Sequence, residues 1–147
     1  MRIVICGSVV FAKEMKAAKE QLEKMGHQTE VPFYVKKIIS GEVDYDTYIK
    51  TKETVGDTDL RQKADEDLIK RYYRLIGQSD AILVINIERK GIKNYIGGNT
   101  LMELGFAYVL NKPIFLLNPI PEMGYSDEII ATKPIILNGD LTKIKND

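Results

Sequence analysis

The 147-residue chain has one cysteine, one histidine and no tryptophan, and 21 Lys and Arg balance 21 Asp and Glu. One cysteine excludes an internal disulfide and fits a reducing cytoplasm. Without clusters of histidine and cysteine, no metal site or cofactor is predicted. The balanced charge provides no surplus of Lys and Arg for binding a nucleic-acid polymer or an anionic membrane. No apolar run approaches the roughly 20 residues that span a bilayer.

What is present is the composition of an ordinary globular protein, 44% hydrophobic and 29% charged. A length near 150 residues favours a single domain, here residues 1–147, with a real core. The N-terminus runs directly into a β-branched stretch and shows no signal-peptide pattern. We therefore expect a cytoplasmic protein that acts on something small or on itself. Zero net charge does not discourage self-association.

Short apolar strands alternate with amphipathic helices along the chain. Strands are predicted at residues 3–6, 27–31, 80–86, 112–118 and 134–138, and helices at residues 11–25, 64–77, 100–110 and 125–132. Residues 33–62 predict a loop with one or two short helices, either a surface excursion, which is commoner, or a lid or interface insertion. The alternation predicts an α/β, Rossmann-like, doubly wound parallel sheet of five strands in the order 2-1-3-4-5.

In such a sheet a ligand binds beyond the carboxyl ends of the strands, at the switch point between the first and third. The residues that this fold would place there, and that we expect to bind substrate, are Gly7, Ser8, Asn86, Gly97, Gly98, Asn99 and Asn118. Gly7 and Ser8 follow the first strand, where backbone N–H groups and a hydroxyl suit a phosphate or carboxylate. An ordinary turn with Ser8 as a helix N-cap explains them equally well.

Glu103 is a further candidate, an acid that the sequence places in the first turn of a helix near the carboxyl edge of the sheet. The stretch from Thr100 to Glu103 fits a capping box, in which the glutamate reaches back to the Thr100 N–H. The alternative is a carboxylate held between two ligand loops. The local sequence favours the capping box.

Other candidates have simpler interpretations. His27 lies at the opposite edge of the predicted sheet, and Cys6 ends a buried strand as a small core residue. Asp44, Asp46 and Asp57–Asp59 are expected to be solvated loop acids instead of cation ligands. Tyr45 and Tyr48 are expected on a helix face, the alternative being stacking on a base.

Two stretches carry a resemblance to a known family. One is Cys6-Gly7-Ser8, and the other runs from Gly97 through Glu103-Leu104-Gly105 to Asn111-Lys112-Pro113. The chain resembles the nucleoside 2-deoxyribosyltransferase superfamily, which includes the 2'-deoxynucleoside 5'-phosphate N-hydrolases. The resemblance covers the order of elements over most of the chain.

The resemblance implies that Glu103 is a nucleophile, which attacks the anomeric carbon of a 2-deoxyribosyl group. A carboxylate suits this role because it stabilises an oxocarbenium-like transition state and can form a glycosyl ester. The implied partner is a nucleoside or nucleotide, with the 5'-phosphate at Gly7 and Ser8. A homo-oligomer, a dimer or higher, is also implied.

Three positions depart from the family pattern. Asn86 stands where the transferases have an aspartate, Gly97 replaces an aspartate or serine, and Val10 replaces a loop arginine. Glu88 is a candidate substitute acid. These departures keep two other functions open: a non-catalytic nucleotide-binding module, and a structural dimer in which Glu103 only caps its helix.

Overall fold

Five parallel strands form one sheet in the order β2-β1-β3-β4-β5, which confirms the predicted doubly wound α/β fold. The computed structural model describes residues 1–55 and 67–146. The strands are β1 (Arg2–Cys6), β2 (Gln28–Glu30), β3 (Ala81–Val84), β4 (Ile114–Leu116) and β5 (Ile135–Ile136).

Helices connect the strands and cover both faces of the sheet. They are α1 (Ala12–Lys24), α2 (Phe33–Ser40), α3 (Tyr45–Val55), α4 (Leu68–Gly77), α5 (Gly98–Val109) and α6 (Ser126–Ala131), with short 3-10 helices at Val9–Phe11 and Leu141–Lys143. Helices α2 and α3 occupy the segment in which the sequence predicts one or two short helices. The acids Asp57–Asp59, the remainder of that segment to residue 62 and the predicted helix start at Ala64 lie outside the described residues.

The sheet divides the core into two layers because neighbouring residues of β1 point to opposite faces. Ile3 and Ile5 pack with α1 and α2, whereas Val4 and Cys6 pack with α4 and α5. Every residue of β3 is buried, as expected for a central parallel strand. Each fully buried aliphatic side chain contributes about 1.5–3 kcal/mol. Within the described part of the chain, no helix is long and apolar enough to cross a membrane.

The helix that carries Glu103 begins two residues earlier than the sequence predicts. Gly97 is its N-cap residue, with extended backbone at φ −81° and ψ 173°, and its carbonyl accepts from the Leu101 N–H at 2.9 Å. Thr100 therefore lies inside the first turn and is buried. A capping box requires its threonine at the N-cap position, so that prediction is wrong.

Candidate functional site

The predicted site residues all follow the carboxyl ends of β1, β3 and β4 or open α5, but they fall into separate groups. Direct contacts connect the loops after β1 and β3, and those after β3 and β4. Gly98 and Asn99 are exposed at the start of α5. The Glu103 carboxyl group points into the core layer between the sheet, α4 and α5.

Glu103 as a residue is half-buried, but its carboxyl oxygen Oε2 is buried and has no hydrogen-bond partner among the described residues. Burial raises the pKa of Glu103 from 4.5 to about 8, and an interaction with the Cys6 thiol opposes this rise. The partly buried position of Glu103 follows from the helical period of α5. Thr100, Leu104 and Ala107 are buried on one face of α5, and Glu103 lies three residues after the first of them.

Cys6 and Tyr72 complete the surroundings of this carboxyl group. Burial, and then the nearby Glu103, raise the pKa of the Cys6 thiol well above its usual value. The Tyr72 hydroxyl on α4 is buried and lacks a hydrogen-bond partner in the described residues. Burial and the neighbouring Glu103 and Cys6 raise its pKa strongly, although the Phe33 backbone acts in the opposite direction. Cys6 is thus a core residue, as predicted, but it also contacts the candidate nucleophile.

Sequence reasoning missed Tyr72 as a neighbour of Glu103. Its helical period marks it correctly as a core position of α4, but a tyrosine at a core position carries a hydroxyl that needs a partner. The need of that hydroxyl for a partner was the signal in the sequence that a polar group could lie beside Tyr72. Nothing local to α4 indicates which residue its hydroxyl approaches.

Gly7 has a conformation and surroundings that exclude a side chain. Its φ is +151°, and a Cβ there would lie 2.7 Å from Met15 Cε and 2.9 Å from the Ile85 carbonyl oxygen. The Gly7 position thus brings the loop after β1 against the end of β3. A backbone this close to its neighbour requires glycine.

Ser8 occupies the N-cap position of the first 3-10 helix, but its side chain does not cap it. Its hydroxyl instead accepts a hydrogen bond from Arg89 Nη1 at 2.9 Å. The Arg89 guanidinium carbon also lies 5.4 Å from the centre of the Tyr95 ring. The sequence alone gives Arg89 no role, because its partner Ser8 is 81 residues away in the chain.

Asn86 and Asn118 are joined by three hydrogen bonds. Asn86 Nδ2 donates to the carbonyl oxygens of Asn118 at 2.9 Å and Pro119 at 3.0 Å, and its Oδ1 accepts from the Asn118 N–H at 2.9 Å. Asn118 Nδ2 donates back to the Asn86 carbonyl at 3.0 Å. These bonds join the ends of β3 and β4, so the buried Asn86 amide has a structural role in this arrangement.

Three further candidates hydrogen-bond to backbone groups. The Glu88 carboxylate accepts from the Gly91 N–H at 2.7 Å and is exposed, so it braces its own turn. The Tyr45 hydroxyl donates to the Val10 carbonyl at 2.8 Å. Asp44 accepts from the Thr47 N–H at 2.9 Å at the start of α3.

Two further candidates also lie in ordinary structural settings. The buried His27 has Nδ1 3.3 Å from the Met1 amine, and the Tyr48 ring packs 5.4 Å from that of Tyr34. In residues 1–55 and 67–146, no group of three or more His, Cys, Asp or Glu could hold a metal ion.

No protein-family model and no curated protein matches the chain. The chemistry of the site therefore carries the functional argument. That chemistry consists of a buried carboxyl group with a raised pKa on α5 and a guanidinium–hydroxyl pair at the loops after β1 and β3.

Proposed function

We propose that the protein cleaves or transfers the N-glycosidic bond of a (deoxy)nucleoside or nucleoside 5'-monophosphate, with Glu103 as the nucleophile. The observation that carries this proposal is the buried Glu103 oxygen, which has no partner among the described residues. An unsatisfied buried polar group costs about 1–3 kcal/mol, so it calls for a functional explanation. The resemblance described above assigns the same glutamate to the attack on a deoxyribosyl group.

In the proposed reaction, a Glu103 oxygen forms a bond to the anomeric carbon of the sugar. The bond between that carbon and the base nitrogen breaks, and its electron pair leaves with the base, which takes up a proton. Water then attacks the glycosyl ester, releases the sugar and its own proton, and regenerates the carboxylate. A second base in place of water would give transfer.

Ionisation of Glu103 controls this chemistry. With a pKa of about 8, only about a tenth of the carboxyl groups are ionised at pH 7. The ionised form in a poorly solvated site is a stronger base, and hence a better nucleophile, than an exposed carboxylate. Activity should therefore depend on deprotonation near pH 8.

The direct test incubates the protein with 2'-deoxynucleosides and their 5'-monophosphates and measures the free base by chromatography. Wild-type protein should release base, and Glu103→Gln should lose activity by about 10³-fold or more. The matched control is Glu20→Gln, which changes an exposed glutamate on α1 and should keep full activity. A panel without base release, or equal rates for Glu103→Gln and wild type, contradicts the proposal.

A second candidate function is a non-catalytic nucleotide-binding module. It is favoured by Asn86, because an amide bonded to Asn118 and Pro119 occupies the position at which the resembling transferases have an acid. This function predicts nucleotide-dependent stabilisation, about 2.7 kcal/mol at a hundredfold excess over Kd, without turnover. A nucleotide series that leaves the melting temperature unchanged contradicts it.

A further inference from the structure

Arg89 forms no ion pair with an acidic side chain of residues 1–55 and 67–146. It is half-buried, and its hydrogen-bond partner is the neutral hydroxyl of Ser8 at 2.9 Å. The adjacent acid, Glu88, binds the Gly91 N–H instead. A guanidinium has five N–H donors, so most of the Arg89 donors remain for an anionic ligand.

The backbone that carries Arg89 is fixed by a tight turn. The Arg89 N–H donates to the Ile92 carbonyl at 3.1 Å, and the Ile92 N–H donates to the Arg89 carbonyl at 3.0 Å. Between them, Lys90 and Gly91 have φ values of 52° and 78°, the positive values of a type I' hairpin turn. The Tyr95 ring, 5.4 Å from the guanidinium carbon, restricts the side chain as well. The arginine is therefore preorganised, which reduces the entropy lost on binding.

Arg89 and Ser8 come from the loops after β3 and β1, the two strands that flank the switch point of the sheet. We infer that Arg89 determines specificity: together with Ser8 it binds the phosphate of a nucleoside 5'-monophosphate, so the monophosphate is preferred over the nucleoside. A planar guanidinium binds two phosphate oxygens at once. The nucleoside part of this inference rests on the proposed function, whereas recognition of the anion rests on Arg89 and Ser8.

The test compares a 2'-deoxynucleoside with its 5'-monophosphate in base-release assays. Arg89→Gln keeps an N–H donor for Ser8 but removes the charge, and Arg89→Lys keeps the charge without the planar fork. Arg89→Gln should lower kcat/KM for the monophosphate by about tenfold to a hundredfold and leave the nucleoside within about twofold. Arg89→Lys should lie between wild type and Arg89→Gln. Lys93→Gln, an exposed control in the same loop, should change neither substrate.

Equal losses for both substrates, or no preference for the monophosphate in wild type, overturn the inference while base release itself upholds the proposed function. A binding measurement tests the inference in the opposite case, in which the proposed function fails because no base is released. The melting temperature of Glu103→Gln is recorded with the nucleoside, the monophosphate and inorganic phosphate, with and without Arg89→Gln.

If the monophosphate raises the melting temperature and Arg89→Gln abolishes that rise, the result supports the inference even when the wild-type protein releases no base. No rise with the monophosphate overturns it. Equal protection by inorganic phosphate also overturns it, because the site would then recognise a free anion and not a nucleotide.

Discussion

Replacing Glu103 by glutamine should stabilise the protein at neutral and basic pH while it removes activity. Burial raises the folded-state pKa of Glu103 from 4.5 to about 8, whereas the carboxyl group of the unfolded chain ionises at its ordinary pKa. Between those values the folded state holds a proton that the unfolded state has lost. The free energy of unfolding therefore falls as the pH rises.

The magnitude follows from the gap between the two pKa values, at about 1.4 kcal/mol for each pH unit. The wild-type protein loses about 3 kcal/mol by pH 7 and about 5 kcal/mol once the pH exceeds 8. Well below pH 4.5 the group is protonated in both states, and the cost disappears. Glutamine has no proton to lose, so the variant avoids this pH-dependent loss.

Urea unfolding followed by circular dichroism at pH 5, 6, 7 and 8 measures the effect. The stability of Glu103→Gln relative to wild type should be smallest at pH 5 and should grow by about 1.4 kcal/mol per pH unit toward pH 8. Glu20→Gln, the exposed control on α1, should show no such growth.

A stability difference that stays constant from pH 5 to pH 8 would refute the reasoning. It would mean that the Glu103 carboxyl group ionises equally easily in the folded and unfolded chain. The buried oxygen would then be solvated, and the argument that burial makes Glu103 a stronger nucleophile would lose its physical basis.

Three further predictions concern catalysis and the two fixed loops. The pH profile of kcat/KM should rise to a plateau with a midpoint near pH 8, set by Glu103 in the free enzyme; a profile flat from pH 6 to pH 9 contradicts this. Gly7→Ala should lower the free energy of unfolding, measured in urea, by about 2 kcal/mol or more, because the new Cβ would lie 2.9 Å from a backbone oxygen. The control Gly98→Ala should leave it unchanged, because a Cβ at Gly98 has nothing within 4 Å. Asn86→Ala should lose about 2–4 kcal/mol in the same assay, since it leaves partners in the next loop unpaired; an unchanged midpoint contradicts that role.

The fold could be predicted because its signals are local. The uninterrupted apolar stretch around Ala81–Val84 indicates a central strand, and the helical period around Leu68–Gly77 indicates an amphipathic helix. Strands that alternate with helices have few allowed connections, because the crossovers are right-handed. The strand order therefore followed from element order, although β2, β3, β4 and β5 are shorter than predicted and β1 begins one residue earlier.

The capping-box prediction shows where local reasoning was insufficient. Thr100 and Glu103 have the required spacing, but Gly97 takes the extended conformation and α5 begins earlier. Thr100 is then drawn into the core with Leu104 and Ala107. Burial of that helix face outweighed a cap worth about 1 kcal/mol.

The sequence by itself determined the doubly wound sheet, the edge at which its loops gather and the presence of a glutamate on the helix at that edge. Only the tertiary structure decided the chemical state of that glutamate, because Cys6, Tyr72 and Glu103 come from three segments far apart in the chain. It also paired Arg89 with Ser8 and Asn86 with Asn118. A pKa and a free charge depend on which groups surround a side chain in space, and no local pattern encodes that neighbourhood.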